Sequence, residues 1–345
     1  MRVSTILFLL PISLSAQTLV STAPQNRTAL LEEFTAINCP ICPQGHTVAA
    51  GLLQTYPNDL VVVGLHGGPL AVPSGGQIDL RTTWSTSLWS QFGVSFQPSG
   101  SVNRMPFNGQ QVLTRTVWGN AISSVLAQPS PVNIGVGVSF DANTRLLTVD
   151  AEVYYTMNGT GGNDRLSVLL TESQILGFQA GNSMGAQSMY PHMHALRAYL
   201  SPLWGDEIMN SAMGQFDQRT YTFTVPTGWN ISNCAVVAFI GEFQSTVYQV
   251  TEVPALDLST GVEAGSAIHT IGVPYPNPAN DRLLVPVEDD ANAHIEFRDA
   301  SGRSLTVPYT NATPTLRSVD ISSLPDGIYM VGIPGGTFRR FSVVH

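Results

Sequence analysis

Lysine is absent from this 345-residue sequence, and acidic and basic side chains together make up only 11% of it. All 15 basic residues are arginine, against 24 aspartates and glutamates, for a formal net charge of −9. Such a chain offers no basic patch to neutralise a phosphate backbone, so electrostatic binding of nucleic acid is disfavoured. Cysteine is scarce as well: Cys39, Cys42 and Cys234 are the only three. A zinc site of four ligands would need a second cysteine pair, and only Cys234 and His46 could stand in for it. Haem attachment through Cys-x-x-Cys-His fails because Pro43 occupies the histidine position. Neither zinc nor haem is expected on these grounds, and no cofactor or resident metal is assigned. Long apolar runs are also missing beyond the first residues. Val61 to Leu65 and Ala235 to Ile240 have the length of core strands, not the about 20 residues of a membrane span.

What is abundant is glycine (31), proline (23) and apolar side chains (43%), a composition suited to many short strands joined by turns, as in secreted β-rich proteins. At roughly 100–200 residues per domain, the length suggests two or three domains. Met1-Arg2, the apolar run Val3 to Leu14 and the small pair Ser15-Ala16 read as a Sec signal peptide over 1–16. The mature chain is expected to lie outside the inner membrane.

Residues 27–128 alternate strand and helix. Leu30 to Ala36 reads as a strand, Cys39-Pro-Ile-Cys42 follows, and Val48, Leu52, Leu53 and Tyr56 recur at helical spacing. Leu60 to His66 is continuously apolar, as a parallel strand buried on both faces should be. Leu80, Trp84, Leu88 and Phe92 predict a second helix, Ser101 to Met105 a short strand, and Val117, Ala121, Ile122, Val125 and Leu126 a third helix. From Pro131 the period changes to two: Val132 to Phe140 and Leu147 to Tyr155 alternate across a turn, and further strands at Arg165 to Ile175, Arg219 to Val225, Cys234 to Phe243 and Val247 to Pro254 make 131–256 a β-sandwich. A long insertion, 176–218, interrupts it, and stretches of that length often carry function. Residues 257–270 are a small-residue linker, and 271–345 has short strands and Gly/Pro turns, a second small sandwich.

The Cys39–Cys42 pair sits where a strand hands over to a helix. A helix N-terminus stabilises a thiolate and so favours nucleophilic cysteine there. This first segment resembles a thioredoxin-like domain. The resemblance implies that Cys39 is the nucleophile, Cys42 the resolving partner that closes a disulfide with it, Glu33 the acidic residue six positions upstream that assists proton transfer, and Pro98 of Phe96-Gln-Pro-Ser-Gly100 a cis-proline facing the disulfide. Asn38 stands where that family often has tryptophan. Taken further, Leu31-Glu-Glu-Phe-Thr-Ala-Ile-Asn-Cys39-Pro-Ile-Cys42-Pro43, Val63-Gly-Leu-His66-Gly, Pro98 to Arg104 and His192-Met-His194-Ala-Leu-Arg197 are similar to the Omp28-related family of Bacteroidota surface proteins. That likeness implies a thioredoxin-like domain followed by an immunoglobulin-like one. Tyr275-Pro-Asn-Pro-Ala-Asn280, Phe297 to Arg303 and Leu324-Pro-Asp-Gly-Ile-Tyr329 resemble a type IX secretion, type A sorting domain. The expected fold class is thus multidomain, α/β plus all-β. The expected partners are the Sec translocon, the type IX machinery and, for an active dithiol, protein thiols or disulfides.

Three readings of the activity stand at this point. The pair exchanges thiols and disulfides; or the disulfide is structural in a non-catalytic adhesin or binding protein; or Met184, Met189, Met193, Met209 and Met213 with His192 and His194 handle copper. Gly181-Asn-Ser183-Met-Gly185 matches the hydrolase G-x-S-x-G pattern without the strand and helix that pattern requires. His66 is expected to be a hydrogen-bonded structural histidine, and Cys234 a buried free thiol. Trp84, Trp89 and Trp118 are assigned to the core.

Overall fold

Strand β1, Ala29–Thr35, is buried along its whole length and pairs in parallel with β2, Leu60–His66, which is equally buried. Between them α1, Cys42–Thr55, makes the crossover and turns Cys42, Gly45 and Ala49 inward. Helix α2, Thr83–Gln91, opens with a capping box in which Thr82 accepts from the Ser85 backbone N–H and the Ser85 side chain accepts in return. β3, Ser99–Val102, runs antiparallel to β1, with β4, Leu113–Thr114, at its far side, and α3, Trp118–Leu126, follows. These elements belong to a computed structural model that describes residues 18–159, 163–181, 185–256, 271–287, 294–299, 303–313, 315–333 and 338–345. The expected signal peptide, the linker 257–270 and the Ser301-Gly302 turn lie outside the described residues, as does Ser183.

The chain continues with β5, Val132–Asp141, and β6, Leu146–Tyr155, the hairpin foreseen from the period of two. Then come β7, Asp164–Glu172; β8, Ile175–Gln179; β9, Gln187–His192; β10, Ala195–Tyr199; β11, Asp206–Glu207; β12, Phe216–Thr224; β13, Cys234–Glu242; and β14, Val247–Pro254. Among the described residues a nine-stranded sheet runs β14-β13-β7-β10-β2-β1-β3-β4, with β11 on β7, while β12-β6-β5 form a separate sheet. Two expectations change here. Residues on either side of 130 do not form separate sheets: β10 joins β2 through Ala195 opposite Gly64, with the Gly64 N–H donating to His194 O at 2.7 Å. A Cβ on Gly64 would lie 3.3 Å from Met193 O, so the missing side chain lets β10 approach. Nor is 176–218 a loop, since it holds β9, β10, β11 and most of β8. Its strands are short, and Pro191 and exposed Leu176 and Met189 blur the alternation that would have revealed them.

Three cores follow from this arrangement. Ala29, Leu31, Leu60 and Val62 meet α1 and α3 around fully buried Trp118. Leu30, Phe34, Val63 and Leu65 on the opposite face pack with Leu88 of α2, Leu169, Leu196, Val237 and Phe239, and Trp84 and Trp89 flank them. Val236, Ala238 and Ile240 of β13 face the other way, onto Val149, Ala151 and Val153 of β6. β13 is therefore apolar without interruption because both of its faces are buried. Glu32 is buried and receives two hydrogen bonds from Arg104, at 2.9 and 2.7 Å, tying β1 to the segment after β3. Arg104 also lies 4.9 Å from the Phe239 ring centre.

Residues 257–345 form a second compact unit. Its strands are β15, Arg282–Pro286; β16, Glu296–Asp299; β17, Ser304–Leu305; β18, Tyr309–Thr313; β19, Leu316–Asp320; β20, Gly327–Gly332; and β21, Phe338–Val343. They form a β15-β19-β18 sheet and a β17-β16-β20-β21 sheet. Leu283, Val285, Phe297, Val319, Val331 and Phe341 make one apolar core.

Candidate functional site

The turn between β1 and α1 carries the cysteine pair. Cys39 and Cys42 form a disulfide with Cα atoms 5.4 Å apart, and the Cys42 N–H donates to Cys39 O at 3.3 Å. α1 begins at Cys42, so Cys39 precedes the helix, which has no side-chain cap. Both cysteines are buried, at 1% and 0% exposure, and cluster with Ala36 and Ala71. The loop is held from two sides. Asn38 donates to Val72 O at 2.8 Å and accepts from Gln77 at 3.2 Å, while Gln179 of β8 donates to Ala36 O at 3.2 Å and Cys39 O at 3.0 Å.

Glu33 and Pro98 meet α1 at one position. A Cβ on Gly45 would fall 2.6 Å from Glu33 Oε1 and 2.7 Å from Pro98 Cβ. Glycine within a helix costs about 1 kcal/mol relative to alanine, and here it lets both groups reach the helix one turn past Cys42. The Gln97–Pro98 bond is cis. Glu33 Oε1 is buried without a hydrogen-bond partner, and burial pushes its carboxyl up to about 8, so the neutral acid persists near neutral pH.

A row of rings extends from this carboxyl. His46, one turn after Cys42, has Nε2 4.0 Å from Glu33 Oε1 and 2.8 Å from Thr35 Oγ1. Its Nδ1 is hydrogen-bonded to the Tyr190 hydroxyl at 2.7 Å. Tyr190 meets His192 edge-on at 5.2 Å between centroids, and His192 meets His66 at 5.4 Å. Burial, reinforced by His192, lowers His46 to about 4; burial lowers His192 to about 4 against an opposing hydrogen bond to Phe178 O; burial and the neighbouring imidazoles hold His66 well below its ordinary value. The imidazoles are neutral at physiological pH. His66 departs from the expectation of a satisfied structural histidine, since its Nδ1 is buried with no partner.

Sequence reasoning placed Cys39, Cys42, Glu33 and Pro98 in this neighbourhood. It missed His46, Gln179 and Tyr190. His46, four residues after Cys42 and so on its helix face, was the one signal available, because Gln179 and Tyr190 arrive only through a hairpin read as a loop. Cys234 is a buried free thiol bonded to Asn230 O at 3.3 Å, and burial with Glu172 nearby raises it to about 12. Among the described residues no set of three His, Cys, Asp or Glu converges on a metal site, and no helix is long and apolar enough to cross a membrane. Met189, Met209 and Met213 are exposed, and Met184 lies outside the described residues.

Residues 85–256 match the family described as outer membrane protein Omp28, and residues 274–340 match the secretion system C-terminal sorting domain. HBP35 of Porphyromonas gingivalis is similar in structure over 93% of this chain and 99% of its own, with 18% identity and a TM-score of 0.55. At that identity the likeness is one of fold, a mostly β architecture of several sheets with few helices. A domain of the outer membrane lipoprotein Omp28 from the same organism aligns with 36% of this chain and 87% of its own, with 21% identity and a TM-score of 0.26. No curated protein matches the chain. The protein carries an Omp28 outer membrane protein region over 85–256 and a secretion system C-terminal sorting domain over 274–340, and is a cell-surface or outer-membrane-associated protein.

Proposed function

We propose that this is an exported thiol–disulfide exchange protein, with a thioredoxin-like segment over 27–128, an immunoglobulin-like segment over 131–256 that continues its sheet, and an address module over 271–345. In this reading a Sec leader over 1–16 and the type IX machinery take it outward. One observation carries the redox assignment: one turn past the Cys39–Cys42 disulfide, the buried Glu33 carboxyl and the Pro98 ring converge on Gly45 of α1. In the reductive direction a substrate thiolate attacks Cys39 Sγ, the Cys39–Cys42 bond breaks, and the departing Cys42 thiolate takes a proton that the neutral Glu33 can supply. In the oxidative direction Glu33 receives that proton back. Pro98 shapes the face on which the partner's disulfide is presented.

A second reading, a structural disulfide within a surface-binding protein, is favoured by one observation, the complete burial of both cysteines. Dithiothreitol-driven reduction of insulin separates the two. The exchange reading predicts that the wild type accelerates insulin precipitation and that Cys39→Ser abolishes the acceleration; equal rates with and without protein would leave the binding reading standing.

A further inference from the structure

Hairpin β8–β9 is a two-stranded ribbon whose strands pair only with each other among the described residues. Such ribbons have little stability of their own. It is fixed instead to the loop that carries the disulfide. Gln179 donates to Ala36 O and Cys39 O, the Ala180 N–H donates to Ile37 O at 2.7 Å, and Tyr190 is bonded to His46. Gln179 is 1% exposed, and its Oε1 has no partner, so the closed contact leaves a buried acceptor unsatisfied. Just outside each end of the hairpin stands a non-glycine residue with positive φ, Gln174 at 59° and His194 at 52°. These two positions are sparsely populated conformations from which the chain can relax if the ribbon swings away.

We propose that the β8–β9 hairpin decides which reductants reach the Cys39–Cys42 disulfide, and that Gln179 and Tyr190 are the specificity-determining residues that hold it closed. The proposal rests on the exchange reading above. A dithiol reduces the site in two balanced steps. Its first thiolate bonds to Cys39 Sγ and sends the electron pair to Cys42 Sγ; its second thiolate then displaces Cys39, leaving the reductant as a disulfide and two protonated cysteines here. Both steps need a line of approach to Cys39 Sγ. A small dithiol gains it through side-chain fluctuation, whereas a folded protein dithiol needs the ribbon displaced. Excluding bulky partners by a contact that must be broken is a repulsive device for specificity.

The test compares two reductants of the same chemistry, dithiothreitol and reduced thioredoxin, on the full chain, with the loss of the disulfide followed by alkylation and mass spectrometry. Gln179→Ala should raise the rate with thioredoxin about tenfold and with dithiothreitol by no more than about threefold. Tyr190→Phe, which keeps the ring and loses only the hydroxyl, should shift the ratio in the same direction by less, and it carries the test if Gln179→Ala does not fold. Labelling of Cys234 in the native state reports global opening and should stay absent in both. Unchanged rates, or equal rises with both reductants, would overturn the proposal while wild-type turnover of insulin would leave the exchange reading intact. Thioredoxin inert toward every chain, with no insulin turnover, would overturn both.

Discussion

The two ends of the nine-stranded sheet treat buried polar groups differently. Where the sheet faces β5, β6 and β12, Tyr155 donates to Asp164 at 2.7 Å, and on the outer face of β6 Glu152 accepts from the backbone N–H groups of Leu19 and Val20 at 2.6 and 3.0 Å. On β5, β6 and β12, Asn133 Oδ1 is the one buried side-chain atom without a partner among the described residues. Around Glu33, Gln179 and the row of rings, Glu33 Oε1, His66 Nδ1, Gln97 Nε2, Gln179 Oε1 and His192 Nδ1 are all in that condition, and elsewhere on the nine-stranded sheet Ser101 Oγ of β3 and Arg197 Nε of β10 also lack a hydrogen-bond partner. Each such atom costs about 1–3 kcal/mol. Apolar side chains would serve a scaffold better, and the proposed exchange chemistry would account for the grouping of such atoms beside Glu33.

The contrast can be broken first at its strongest paired group. Glu32→Ala leaves the Arg104 guanidinium buried without its carboxylate and should cost about 3–5 kcal/mol in urea unfolding. Tyr155→Phe removes one hydrogen bond to Asp164 in the sandwich and should cost about 1–3 kcal/mol by the same measurement. A Glu32→Ala cost below that of Tyr155→Phe would mean that the pair does not bind the sheet together.

Glu33→Gln should act in the opposite sense, and only at high pH. The Glu33 carboxyl titrates at about 8 in the folded chain against an ordinary 4.5, so its contribution is complete below about 4.5 and is lost as pH rises through 8. His46 and His192, depressed to about 4, contribute fully above about 6.5 and lose that contribution as pH falls through 4, in wild type and variant alike. The melting temperature of Glu33→Gln minus that of the wild type should therefore grow between pH 5 and pH 9. A flat difference would place the carboxyl in water.

How much of this was legible follows the length and regularity of each element. β2 was predicted at its observed bounds because seven consecutive residues are buried on both faces. The β5–β6 hairpin was legible from its period of two. β8, β9 and β10 were not, because they are five or six residues long and β10 is placed by its neighbours β7 and β2 rather than by its own pattern. With them went Gln179 and Tyr190, which reach the disulfide only through tertiary contact. Glu33 and Pro98 were available because motif spacing, not packing, locates them.

The smallest expected effect is none at all: Cys234, with its thiol raised to about 12 by burial, should stay unmodified by iodoacetamide in the native protein at neutral pH and react on denaturation. Native labelling of Cys234 would show that the sandwich end opens as readily as the disulfide end.

The central claim, that Cys39 and Cys42 exchange with a thiol partner, is met most directly by trapping. Cys42→Ser leaves Cys39 with no resolving thiol, so reaction with a disulfide-containing peptide should stop at a mixed disulfide on Cys39, seen as one added peptide chain by mass spectrometry, and Cys39→Ser should trap none. No adduct on Cys39 in the folded Cys42→Ser protein, or an adduct on Cys234 alone, would contradict the account.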